Sequence, residues 1–209
     1  MIGFRKRSEC TVLAVVAALI LFFAPPMAPA ENAKAQDTVD RLHSALIEVM
    51  KNADALGFEG RWKTLAPVVT DSYDLAYISE IVLGREWDKI SQDDRRQMID
   101  TFTRLTVSTY AARFDGFSGE SFRHMEEKPM NRGRMLVRTE LVRPADEPVH
   151  LDYVLHEKEG QWRIVNVVAE GVSDLSLKRA DYGSIIKQEG FKKLLEKLET
   201  QIVALRAGA

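Results

Sequence analysis

The clearest patterning lies over 148–173, PVHLDYVLHEKEGQWRIVNVVAEGVS, where oily and polar side chains alternate. Val149, Leu151, Tyr153 and Leu155 share one parity, and His150, Asp152, Val154 and His156 the other, which predicts a strand with one buried face. A short polar turn containing Gly160 follows. Apolar residues at both parities over 162–169 then predict a second strand covered on both sides. Upstream, RMLVRTELVR over 134–143 sets Met135, Val137 and Leu141 against Arg134, Arg138 and Glu140, and 121–127 is a weaker fourth strand. Connections this short imply an antiparallel meander, because parallel pairing needs a crossover of a dozen or more residues.

Helical spacing occupies the rest of the chain beyond its first 30 residues. Val39, Leu42, Leu46, Val49 and Met50 predict an amphipathic helix over 38–53. A second piece, 61–69, should be short because Pro67 cannot continue a helix interior without losing a hydrogen bond. Asp74 reads as the N-cap of a helix over 75–83 that Gly84 ends. Ser91-Gln92-Asp93-Asp94 resembles a capping box opening a long helix to about Ala112, and 182–206 is helical again, with Gly190 bending or dividing it. With no internal repeat or linker, the pattern gives one α+β domain over 31–209, a curved antiparallel sheet of about four strands packed against several helices.

The first 30 residues read differently. Arg5, Lys6 and Arg7 precede an uncharged apolar run over 11–24, and Ala28-Pro29-Ala30 offers small residues for cleavage, so 1–30 is expected to be a signal peptide and the protein periplasmic. The run falls short of the roughly 20 residues needed to span a bilayer. Cys10, the sole cysteine, would leave with it, so stability must come from a hydrophobic core. Removing Arg5, Lys6, Arg7 and Glu9 from 29 basic and 31 acidic residues leaves 26 and 30. That mild acidity provides no footprint for nucleic acid and no polybasic patch for an anionic membrane.

Candidate chemistry is sparse. The chain carries no phosphate loop, no GxSxG elbow, no HExxH helix and, once the leader is gone, no cysteine nucleophile. His150, Asp152 and His156 share a parity, but Asp152 and His156 would lie roughly 13 Å apart at about 3.3 Å per residue, so no metal site and no cofactor is expected. An enzyme reading would rest on Tyr153 as hydrogen-bond donor and Glu170 as base in a small apolar pocket. The plainer reading is that Tyr153 fills core and Glu170 caps a turn. A ligand-free envelope scaffold is a third reading.

Several stretches together resemble the MlaC-type family of exported phospholipid-binding proteins, the auxiliary component of an ABC lipid transporter. They are Tyr73-Asp74, Ile81-Val82-Leu83-Gly84-Arg85-Glu86-Trp87, Leu105-Thr106-Val107-Ser108-Thr109-Tyr110-Ala111, Tyr153 with Trp162-Arg163-Ile164, Glu170-Gly171-Val172-Ser173, and Tyr182 with Ile185-Ile186. Asn166 stands where the family pattern usually has Asp, and 177–182 also departs from it, which is similar to the hopanoid-biosynthesis-associated HpnM branch. The resemblance implies a monomeric, non-enzymatic carrier of a phospholipid or hopanoid-type lipid. It also implies an apolar cavity between sheet and helices, a head group near the opening, and docking onto membrane-anchored transporter components. Given such a cavity, position assigns Ile81, Phe102, Leu105 and Tyr110 to its helical wall and Met135, Val137, Leu151, Tyr153 and Leu155 to its sheet wall. These nine follow from parity rather than from matched binding residues.

Overall fold

Two-residue turns fix the register of the sheet. The strand Asp146–Lys158 (β3) folds back on Gln161–Ala169 (β4) through Glu159 and Gly160, at φ 54° and 75°. Glu170 and Gly171, at φ 49° and 77°, join β4 to Val172–Ser173 (β5) in the same way. Positive φ at both turn residues matches the twist of the flanking strands, and glycine adopts it without strain. Ser121–Met130 (β1) and Arg134–Arg143 (β2) complete an all-antiparallel sheet in the order β1-β2-β3-β4-β5. The sequence predicts about four strands; the fifth is only two residues long, too short to leave an alternating pattern.

The computed structural model describes residues 34–208, and the expected signal peptide over 1–30 lies outside them. Six α-helices accompany the sheet among the described residues: Ala35–Lys51 (α1), Ala53–Ser72 (α2), Leu75–Leu83 (α3), Gln92–Arg113 (α4), Asp174–Glu189 (α5) and Phe191–Ala207 (α6). None is long and apolar enough to cross a membrane. The start signals work as read. Asp74 accepts from the Tyr77 amide at 3.1 Å, the Ser91 hydroxyl from the Asp94 amide at 3.1 Å, and Gly190 at φ 88° separates α5 from α6.

Two departures have local causes. Helix α2 runs through Pro67 because that ring lies on the exposed face, where water can take the carbonyl the proline leaves unpaired, and the bend comes instead at Gly57, φ 55°. Helix α5 begins eight residues earlier than the apolar spacing suggests, capped by the Ser173 hydroxyl on the Ser176 amide at 3.1 Å.

One face of the sheet carries the core. Val137, Tyr153 and Val167 stand in register across three strands, as do Met135, Leu155 and Ile164. Val39, Leu42, Leu46 and Val49 of α1 and Leu65 and Val69 of α2 join them in one cluster, all six with no exposed surface. Each such burial is worth about 1.5–3 kcal/mol relative to exposure. Where α2 meets α3 the chain touches the sheet directly: Tyr73 bridges Ile164, and the Asp74 amide donates to the Ile164 carbonyl at 3.0 Å.

Candidate functional site

The same face is not filled along its whole length. Toward the β2–β3 turn, between the sheet and α3, α4 and α5, lies a cavity of about 770 Å³, in the upper part of the range of about 300–1,000 Å³ usual for ligand sites. Leu141, Val149, Leu151, Tyr153, Val167 and Ala169 form its sheet wall. Ile78 of α3, Leu105, Thr106, Thr109 and Tyr110 of α4, and Leu175 and Tyr182 of α5 face them, with Met50 contributed by α1. Arg113, Asp115, Glu120, Arg143, Asp174, Lys178 and Asp181 add a charged portion of mixed sign.

The polar atoms on the apolar part of the wall are satisfied locally. Thr106 and Thr109 donate to the carbonyls of Phe102 and Leu105 at 2.8 Å each, so their hydroxyls need nothing from the cavity. The Tyr73 and Tyr110 hydroxyls bond each other, and burial raises the pKa of both, Tyr110 to about 12. Tyr153, also raised by burial, shares a hydrogen bond of 2.9 Å with His43 Nε2. His43 lies buried against the Phe122 ring at 3.7 Å, and burial lowers its pKa to about 3, so the imidazole is neutral. Asn166 Oδ1 accepts from the Leu175 amide at 3.1 Å and the Ser173 hydroxyl at 3.2 Å, tying the first turn of α5 to β4. It fills an acceptor role that an aspartate would also fill.

Of the nine positions assigned from the sequence, Leu105, Tyr110, Leu151 and Tyr153 line this cavity. Phe102 stands behind the wall, edge-on to Tyr182 at 6.4 Å. Val137 and Leu155 are fully buried in the solid core, Met135 packs against it, and Ile81 is half-buried off the main packed face of α3. Leu141 and Val149 continue the same alternation toward the other end of the strands, so parity marks them too. The charged positions follow no period.

The other candidate chemistries are spread apart. Tyr153 is engaged by His43, whereas the exposed Glu170 accepts from the His150 amide at its turn and does not reach the cavity. His150 pairs with Glu140 at 3.3 Å, Asp152 with Arg138 at 3.3 Å and His156 with Asp74 at 3.0 Å, three separate contacts.

A family model described as MlaC protein matches residues 40–200. The intermembrane phospholipid transport system binding protein MlaC of Haemophilus influenzae is 22% identical over 130 residues, 60% of this chain, and the match spans about three fifths (61%) of that relative's length. A phospholipid-binding protein from Ralstonia solanacearum, solved in complex with a phospholipid, superposes with a TM-score of 0.73 at 20% identity, over 83% of this chain and 99% of that one. At that identity the likeness is one of fold.

Proposed function

Because the chain belongs to the MlaC family, we propose that it is a periplasmic lipid carrier, the shuttling component of a transport system that moves lipid between envelope membranes. The observation that carries the reading is the cavity of about 770 Å³, walled by leucine, valine and tyrosine on a sheet face that is otherwise packed solid. Moving a lipid through water exposes hydrocarbon at about 0.8 kcal/mol per CH₂, on the order of 20 kcal/mol for two chains of ordinary length. A carrier must replace that lost contact, and apolar walls with self-satisfied hydroxyls do so at little polar cost.

The cargo is a phospholipid or a hopanoid-type lipid, and the protein works as a monomer. Release needs a state in which the walls separate. Docking on a membrane-anchored transporter component would favour that state, provided the partner binds it more tightly than the closed one.

Protein purified from the cell envelope, extracted with organic solvent and analysed by mass spectrometry, should yield close to one lipid per chain. The mass of that lipid decides between glycerophospholipid and hopanoid. Recovery of none, together with failure of the extracted protein to take up lipid from phospholipid vesicles, overturns the reading.

A further inference from the structure

We propose that α5 is the lid of the cavity, swinging on Gly171 and Gly190 to pass cargo, with Asn166 as its catch. This rests on the carrier reading and assigns the opening which that reading requires to one element. Asp174, Leu175, Lys178, Asp181 and Tyr182 line the cavity at helical spacing, so one face of α5 looks onto the hollow along the first half of the helix. Little of α5 packs elsewhere: Tyr182 is its one buried residue, against seven on α4.

The other helical walls are pinned by polar contacts to distant parts of the chain. On α4, the Ala111 carbonyl accepts from the buried Arg61 at 2.8 Å, and Glu199 of α6 accepts from Thr101 at 3.1 Å and from Arg104 Nη1 at 2.8 Å. At the start of α3, Asp74 accepts from Lys158 at 2.9 Å and bonds His156 Nε2 at 3.0 Å. Among the described residues, α5 bonds to the sheet through Asn166 alone, whose Oδ1 takes the Leu175 amide and the Ser173 hydroxyl that caps the helix. Its ion pair to another element joins Glu189 to Lys197 of α6 at 2.6 Å, beside Gly190. Tyr182 packs edge-on to Phe102, and no hydrogen bond among the described residues holds its hydroxyl, so the ring can leave without breaking one.

Both ends of this segment are free to turn. Gly171 at φ 77° and Gly190 at φ 88° stand in open space, where an added Cβ would meet no atom within 4 Å, so neither glycine is there for close packing. Residues of that kind at element ends absorb dihedral changes without displacing a neighbour. Between the two joints α5 moves as one piece. The two-residue β5 goes with it, giving up its short pairing with Val168 and Ala169.

The test follows loading and unloading of a short-chain, NBD-labelled phosphatidylglycerol by stopped flow. Asn166→Ala should speed both about fivefold or more and leave the affinity within about threefold, because loaded and empty protein lose the same catch. Asn166→Asp keeps the acceptor and should restore the slow rates. Unchanged rates, or faster unloading with unchanged loading, would mean that Asn166 only shapes or touches the wall, and either result overturns the proposal. A reversible lock tests the joint itself. Val168 and Ser173 are paired across β4 and β5, and antiparallel partners lie about 4.5–5.5 Å apart at Cα, within the span of a disulfide. In a Cys10→Ser chain, which has no other cysteine, Val168→Cys with Ser173→Cys should unload at least about tenfold more slowly when oxidised than when reduced. Equal rates in the two redox states overturn the lid, and this comparison stands alone if Asn166→Ala does not fold. Wild-type protein that takes up no lipid would instead sink the carrier reading, and this inference with it.

Discussion

The two ends of one sheet face differ in a way their chemistry does not announce. On β3, Leu155 has no exposed surface, whereas Leu151 and Val149, two and three strand repeats away on the same parity, border a cavity of about 770 Å³. What differs is the layer opposite. At the Leu155 end α1 and α2 supply large branched side chains, Leu42, Leu46, Leu65 and Val69. At the Leu151 end α4 sets Thr106 and Thr109, shorter residues whose hydroxyls turn back onto their own helix, between Leu105 and Tyr110, and this layer stands off from the sheet. A hollow is thus made by what the helices withhold, not by any special residue on the strands.

The contrast breaks most visibly if the hollow end can be plugged. Leu151→Trp should cut the lipid recovered per chain to below about a tenth while moving stability by under about 1 kcal/mol, since the ring enters space that exists already. Lipid loading at the wild-type level would show that the cargo sits elsewhere. The packed end should respond in the opposite sense. Leu155→Ala should cost about 3 kcal/mol in urea unfolding, the range for a fully buried leucine, against about 1 kcal/mol for Leu151→Ala. Equal costs at the two positions would mean that the two ends are packed alike.

Much of this fold is legible from residue pattern, and the reason is local physics. Strands β2 and β3 alternate with period two, β4 is apolar at both parities, and Asp74, Ser91 and Gly190 act at their helix ends through contacts within a few residues. The site is legible only in part. Parity says that Met135, Val137, Leu141, Leu151 and Leu155 share a face, but whether a given one meets a leucine or a void depends on helices far away in sequence. The charged positions at the cavity, Arg143 at the end of β2 among them, carry no repeat that periodicity could flag. The early start of α5 rests on Ser173 and Asn166, seven residues apart, joined only once the β4–β5 turn has formed.

Acid probes the boundary between the two ends, because His43 is bonded to the cavity-lining Tyr153 yet buried in the packed layer. Burial lowers its folded-state pKa to about 3 from an unfolded value near 6.5. The unfolded chain therefore takes up a proton that the folded chain refuses. Stability from this residue is complete above about pH 6.5 and falls as pH drops from there toward 3, at up to about 1.4 kcal/mol per unit. Between pH 7 and pH 5 the loss should be about 2 kcal/mol. Urea midpoints across that interval should fall more steeply in wild type than in His43→Gln, and parallel slopes would show that the imidazole stays wet.

The smallest effect sharpens the contrast furthest, since it separates a wall that holds cargo from a residue that does chemistry. Tyr153→Phe keeps the ring that faces the cavity and removes only the hydroxyl that meets His43 at 2.9 Å. The buried imidazole nitrogen then lacks its partner, which should cost about 1–2 kcal/mol. Lipid recovery should stay within about twofold of wild type, because the apolar surface offered to an acyl chain barely changes. A carrier tolerates that change, whereas a site using the Tyr153 hydroxyl as hydrogen-bond donor would lose its function with the same loss of about 1–2 kcal/mol in stability. If lipid recovery collapses in Tyr153→Phe while the urea midpoint falls only as expected, the hydroxyl recognises cargo directly and the division between packed and hollow ends does not hold at this residue.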